Sequence, residues 1–109
     1  MNTNETISCT LERIQEQIAQ NPILLYMKGT PQFPQCGFSG QVAHILKLCQ
    51  VQYAHVNILE NPDIRAELPK YANWPTFPQL YIQGELVGGC DIITELYESG
   101  ELQKKFASL

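Results

Sequence analysis

The chain has 109 residues, the length of one ordinary domain, and its 44% apolar and 17% charged residues describe a globular protein able to build its own core. Its formal charge of −4, with seven scattered Lys and Arg, argues against broad phosphate-backbone binding, so no nucleic-acid surface is expected. The longest unbroken apolar stretch, Ile23–Met27, is far short of a membrane span, and the polar start Met1–Glu5 lacks the basic and apolar regions of a secretory signal. We therefore expect a single domain over 1–109, cytoplasmic in a bacterial-type cell, or in an organelle matrix if a transit peptide was removed.

Ile7, Leu11, Ile14 and Ile18 recur at helical spacing, and Asn21-Pro22 ends that helix. Ile23–Met27 is a short β-rich run, read as a buried strand. Lys28–Gln35 holds one Gly and two Pro and predicts a loop of restricted shape. From Gly37, the positions Phe38, Val42, Ile45, Leu46 and Cys49 return to the helical period. Tyr53–Asn57 predicts a second strand with Ala54 and Val56 on one face. Asn61-Pro62-Asp63 supplies an N-cap, a first-turn proline and an acid, opening a helix whose buried stripe is Ile64, Leu68 and Tyr71. Trp74–Pro78 is a rigid connection into the strand Gln79–Ile82, and Gln83-Gly84 turns tightly into Glu85–Val87. Gly88-Gly89-Cys90-Asp91 makes another turn, with Asp91 as N-cap of the helix Ile92–Glu98. Gly100 stops that helix before a last short one at Glu101–Ala107.

The order α-β-α-β-α-β-β-α-α predicts an α/β fold. A helix between the first two strands implies a right-handed parallel crossover, and the two-residue turn implies an antiparallel hairpin. A four-stranded mixed sheet with helices on both faces satisfies both.

Cys9, Cys36, Cys49 and Cys90 stand 27, 13 and 41 positions apart, and His44 and His55 eleven apart, which is not the close pairing of a structural zinc site. With no signal sequence, a reduced state is expected. Cys9 and Cys49 fall on apolar helix faces and are read as packing residues. Cys36 differs: a strand–loop–helix unit delivers it to a helix N-terminus, where unpaired N–H groups and the dipole favour a thiolate. Lys28, at the end of the preceding strand, is expected to supply the larger share of that pull. The plainer alternative is a capped cysteine that only packs.

Lys28-Gly29-Thr30-Pro31, Cys36-Gly37-Phe38-Ser39, Trp74–Pro78 and Gly88–Asp91, in that order over roughly Ile7 to Phe106, resemble the signature of CGFS-type monothiol glutaredoxins of the single-domain bacterial kind. The resemblance implies the thioredoxin fold, in agreement with the element order. Dithiol relatives carry a second cysteine where this chain has Ser39. A second thiolate can resolve a mixed disulfide internally, and a hydroxyl cannot. Cys36, the catalytic residue, must therefore wait for an outside thiol, so efficient protein-disulfide reduction is not expected.

The resemblance also implies a glutathione cradle. Thr76-Phe77-Pro78 matches the segment whose proline is cis in the family, although a generic X-Pro bond is cis only about 5% of the time. Gly88-Gly89-Cys90-Asp91 offers backbone N–H groups to the γ-glutamyl carboxylate, and Asp91 can hold the ligand's amino group. An ordinary glycine turn with an N-cap is the plain reading of the same residues, and both hold together. Lys28 and Arg65 are candidate cations for the glycine carboxylate, though Arg65 by itself reads as a solvated helix residue. Phe38 has the spacing of a core residue and the neighbourhood of a docking residue, and Trp74 is expected to fix its loop rather than touch ligand. In some relatives a disulfide joins the positions of Cys36 and Cys90, which the residues here leave open.

The function so implied is a carrier. Two subunits would share a labile [2Fe–2S] cluster, the metal held by Cys36 of each and by two glutathiones, since one thiolate per chain cannot fill four positions. The homodimer would deliver the cluster to apo iron–sulfur proteins. A glutathione-dependent monothiol reductase and an adaptor for BolA-type proteins are the alternatives.

Overall fold

A computed structural model describes the backbone of residues 3–109 and the side chains from Ile7 onward, so the reading of Met1–Glu5 lies outside the described side chains. The elements follow the expected order: α1 (Thr3–Gln20), β1 (Ile23–Met27), α2 (Gly37–Leu48), β2 (Ala54–Asn57), α3 (Pro62–Ala72), β3 (Gln79–Ile82), β4 (Glu85–Gly88), α4 (Cys90–Ser99) and α5 (Glu101–Ala107). The sheet order is β2-β1-β3-β4, with β1 parallel to β2 and antiparallel to β3, and β3 antiparallel to β4. No helix among the described residues is long and apolar enough to cross a membrane.

Strand alternation divides the interior in two. Ile23, Leu25, Met27, Leu80 and Ile82 face Val42, Ile45 and Leu46 of α2, Ile93 of α4 and Leu102 of α5. Leu24, Tyr26 and Tyr81 face Ile14 and Ile18 of α1 and Ile64 and Leu68 of α3. Because β1 is covered on both sides, all five of its residues are buried and it reads as a continuous apolar run. Each fully buried Leu, Ile or Met contributes roughly 1.5–3 kcal/mol, so this strand anchors both layers.

Four local readings need correction. Tyr71 is 43% exposed; the stripe of α3 steps by four from Ile64 and Leu68 to Ala72, which packs on the core instead. Cys9 is exposed rather than packed, because the buried face of α1 runs through Thr10 and Ile14, one residue further round. Asn61 stands at the N-cap of α3 without capping it. Its amide donates to the Asn57 carbonyl at 2.9 Å and accepts from Arg13 at 3.1 Å. Asp91 is not the N-cap of α4 either: Gly89 occupies that position, and Asp91 lies in the first turn. Cys49 is partly buried against the α2 side of the core, as read from its spacing.

Arg13 and Thr10 of α1 both bind the Asp63 carboxylate in the first turn of α3. Partial burial works against its charge, but the Thr10 hydroxyl, the Ile64 N–H and Arg13 outweigh it and hold Asp63 below the usual carboxylate range. The helix that carries Arg65 is thereby fastened to α1.

Candidate functional site

The loop after β1 is shaped by hydrogen bonds. Gln35 N–H donates to the Lys28 carbonyl at 2.9 Å, and Thr30 and Phe33 bond each other's backbone at 3.1 and 3.3 Å. Gly29 N–H donates to the Asn57 side chain at 2.9 Å. Gly29 has φ +92°, and a Cβ there would lie 2.5 Å from the Phe33 carbonyl oxygen, so only glycine permits the fold-back that presents Cys36.

Cys36 is the N-cap residue of α2, with extended backbone and a partly exposed thiol that makes no cap hydrogen bond of its own. Its ionised form is favoured: the Ser39 N–H contributes most, partial burial opposes it, and the Phe38 N–H and then Lys28 add to the lowering. Lys28 thus ranks behind the backbone donors rather than ahead of them. Backbone N–H groups in the first turn of α2 are held in place by the helix, whereas an ammonium on a flexible stem is screened by water. Ser39 is fully buried, and its hydroxyl accepts the Lys28 N–H at 3.1 Å, tying the end of β1 to the start of α2.

Cys36 opens onto a groove of about 670 Å³. Lys28, Cys36, Arg65, Thr76, Phe77, Pro78, Cys90 and Asp91 all line it, so the structure brings every site residue named from the sequence to one place. Arg65 and Asp91 are exposed at its margins. The Phe77-Pro78 peptide is cis, as the resemblance implied. Trp74 lines the groove, and its backbone carbonyl accepts the Gln79 amide at 3.0 Å. Phe38 resolves outward, at 61% exposure.

Gly89 lets the start of α4 approach the Trp74–Pro78 wall closely. A Cβ there would sit 3.2 Å from the Pro78 carbonyl and 3.4 Å from the Trp74 indole nitrogen. That nitrogen is buried without a hydrogen-bond partner among the described residues. Cys90 belongs to the cradle segment named from the sequence. It begins α4 and faces the groove, where burial pushes its thiol up despite the Thr94 hydroxyl. Pro69 was missed by sequence reasoning and lines the groove one helical turn after Arg65. The i, i+4 spacing from Arg65 was the available signal.

Residues 23–87 match the glutaredoxin family. Over 98 residues the chain is 66% identical to Glutaredoxin 4 of Escherichia coli (strain K12), an alignment that covers 90% of this chain and 85% of that protein. It belongs to the glutaredoxin family. Among solved structures, this glutaredoxin matches the reduced apo form of poplar GrxS14 with TM-score 0.75 and 49% identity, over 94% of this chain and 91% of that one. It matches the buckwheat glutaredoxin–glutathione complex with TM-score 0.85 over 98% and 96% of the two chains, where 23% identity speaks to the fold alone. The mixed sheet flanked by helices is thus the thioredoxin fold. With Ser39 in place of a second cysteine, the chain is a glutaredoxin with one thiol in its motif.

Proposed function

We propose that this glutaredoxin binds glutathione in the groove and carries a [2Fe–2S] cluster, shared between two copies of the chain, for delivery to apo iron–sulfur proteins. The observation that supports this most is a single thiol with a favoured thiolate, set beside a groove of divided charge. Lys28 and Arg65 offer cations to the glycine carboxylate of the tripeptide. The N-terminus of α4 offers N–H groups to the γ-glutamyl carboxylate, and Asp91 an anion to the neighbouring amine. The cis Phe77-Pro78 segment would present its backbone to the middle of the ligand.

The donor set suits a shared cluster. Thiolates are the ligands that iron–sulfur centres prefer, and Cys36 is the thiol here whose ionised form is favoured. Among the described residues no three His, Cys, Asp or Glu side chains converge to hold a metal within one chain. The remaining positions would then be filled by the Cys36 of the second copy and by two glutathione thiolates. Held in this way the cluster is cargo. The unpaired state of all four cysteines suits a reducing compartment such as the cytoplasm.

The favoured thiolate also supports the reductase reading. Attack by Cys36 on a glutathionylated protein would release the protein thiol and leave glutathione joined to Cys36, for a second glutathione to remove. Phe33 and Phe38, both well exposed beside Cys36, favour docking of a protein partner such as a BolA-type protein.

Native mass spectrometry of protein reconstituted anaerobically with iron, sulfide and glutathione tests the carrier reading. A dimer with two irons and two glutathiones is expected, absent in Cys36→Ser and intact in Cys9→Ser and Cys49→Ser. A cluster held by one chain without glutathione would overturn it.

A further inference from the structure

Gln79 opens β3 on the side that carries Tyr81. It is fully buried and does not reach the groove. Its amide is nonetheless fully engaged. The nitrogen donates to the Trp74 carbonyl at 3.0 Å and to the Thr76 carbonyl at 3.3 Å, while the oxygen accepts the Tyr81 hydroxyl at 3.0 Å. The orientation follows from the partners: turned over, the amide oxygen would meet two carbonyl oxygens. Burial pushes the Tyr81 phenol up to about 12, so it remains a donor at neutral pH. Tyr81 is itself held edge-to-face against Tyr26, with ring centroids 5.7 Å apart.

A buried amide is costly unless its polar atoms are paired, and an aliphatic side chain would fill this position without that cost. What the amide adds is a double grip on a loop that lacks regular secondary structure. The two carbonyls it holds belong to Trp74 and Thr76, which flank Pro75 and lead directly into the cis Phe77-Pro78 peptide. We propose that Gln79, its amide aimed by the Tyr81 hydroxyl, is a positioning residue that clamps the Trp74–Pro78 wall of the groove in its ligand-ready shape. That the ligand is glutathione rests on the function proposed above; the clamp itself does not.

Trp74 is the single tryptophan of the chain, so its fluorescence reports on this wall alone. Gln79→Met removes both ends of the relay, and Tyr81→Phe removes only the hydroxyl that aims it. Tyr26→Phe is the control: it takes a hydroxyl from the other ring of the same pair, one bonded to Gln17 and not to the relay. Gln79→Met and Tyr81→Phe should each shift Trp74 emission to the red and make it more accessible to acrylamide. Tyr81→Phe should weaken glutathione about tenfold, the loss of one hydrogen bond of the relay, and Gln79→Met at least as much, while the Cys36 titration stays in place. The double variant should be no weaker than Gln79→Met alone, since both act through one relay. Tyr26→Phe should move neither Trp74 nor glutathione. If Gln79→Met fails to fold, Tyr81→Phe decides alone. Parent-like Trp74 emission in both clamp variants, or equal shifts in Tyr26→Phe, overturns the clamp. If the Trp74 signal moves as expected but the parent binds no glutathione, the clamp stands and the ligand assignment falls.

Discussion

Replacing Ser39 with alanine separates two jobs that one residue performs. The hydroxyl of fully buried Ser39 accepts the Lys28 N–H at 3.1 Å in a bond that is itself only partly buried, and an alanine leaves that donor without its partner. An unsatisfied buried N–H costs about 1–3 kcal/mol, and partial exposure of this bond places it in the lower half of that range. For a domain of this size the loss corresponds to a fall in Tm of roughly 5–15 °C. The thiol should behave differently. Cys36 is held low first by the Ser39 N–H, against partial burial, then by the Phe38 N–H and Lys28, and least by the Ser39 hydroxyl. Alanine keeps both N–H groups. Thermal unfolding should therefore show clear destabilisation, while titration of the thiolate absorbance gives a midpoint close to the parent's. A folded Ser39→Ala protein whose thiol returns to the ordinary range would refute the ranking and make the hydroxyl, not the backbone, the group that holds the charge.

Ser39→Cys should raise turnover of a small disulfide substrate and, on the carrier function proposed above, loosen cluster retention, because an internal thiolate then competes for Cys36 and for iron; equal turnover in parent and variant counts against the role given to Ser39. Lys28→Ala should weaken glutathione roughly ten- to hundredfold, the loss of a charge-assisted hydrogen bond, while raising the Cys36 midpoint less than removal of a backbone donor would. Asp63 should govern acid stability: its lowered pKa makes its contribution complete above the unfolded-state value and lost as pH falls through the folded one. The Tm difference between parent and Asp63→Asn should accordingly be full at neutral pH and close in acid; a gap that widens in acid is inconsistent with this.

The fold was legible because its signals were local and periodic. The apolar run at Ile23–Met27, the proline-led start at Pro62 and the glycine stop at Gly100 each name an element without help from the rest of the chain. Two of the readings that failed depended on partners far away in sequence. Asn61 has the residue type of a cap, but Arg13 and the Asn57 carbonyl engage its side chain. Cys9 was read on the apolar face of α1, yet Thr10 beside it turns inward and donates to Asp63 instead. Asp91 has the residue type of a cap too, but the Gly89 turn starts α4 one residue before it.

The site divides along the same line. Cys36 and the segments that line the groove could be named because each lies in a short motif. The physical weights within the motif could not. Sequence spacing brings Lys28 near Cys36, and a point charge looks stronger than a backbone amide, yet the Ser39 and Phe38 N–H groups in the first turn of α2 lower the thiol ahead of the lysine. Gln79 escaped notice for the same reason. In the sequence it is one polar residue at the head of a strand, and nothing there says that its amide turns back to hold Trp74 and Thr76. The groove thus has two kinds of parts. Residues that line the groove sit in motifs because their neighbours must also be of a given kind, such as the Gly89 that leaves room for Trp74 and Pro78. Residues that hold those motifs in place answer only to a partner across the fold. They can stand anywhere in the chain, and they become visible when the hydrogen bonds are followed from the site into the core.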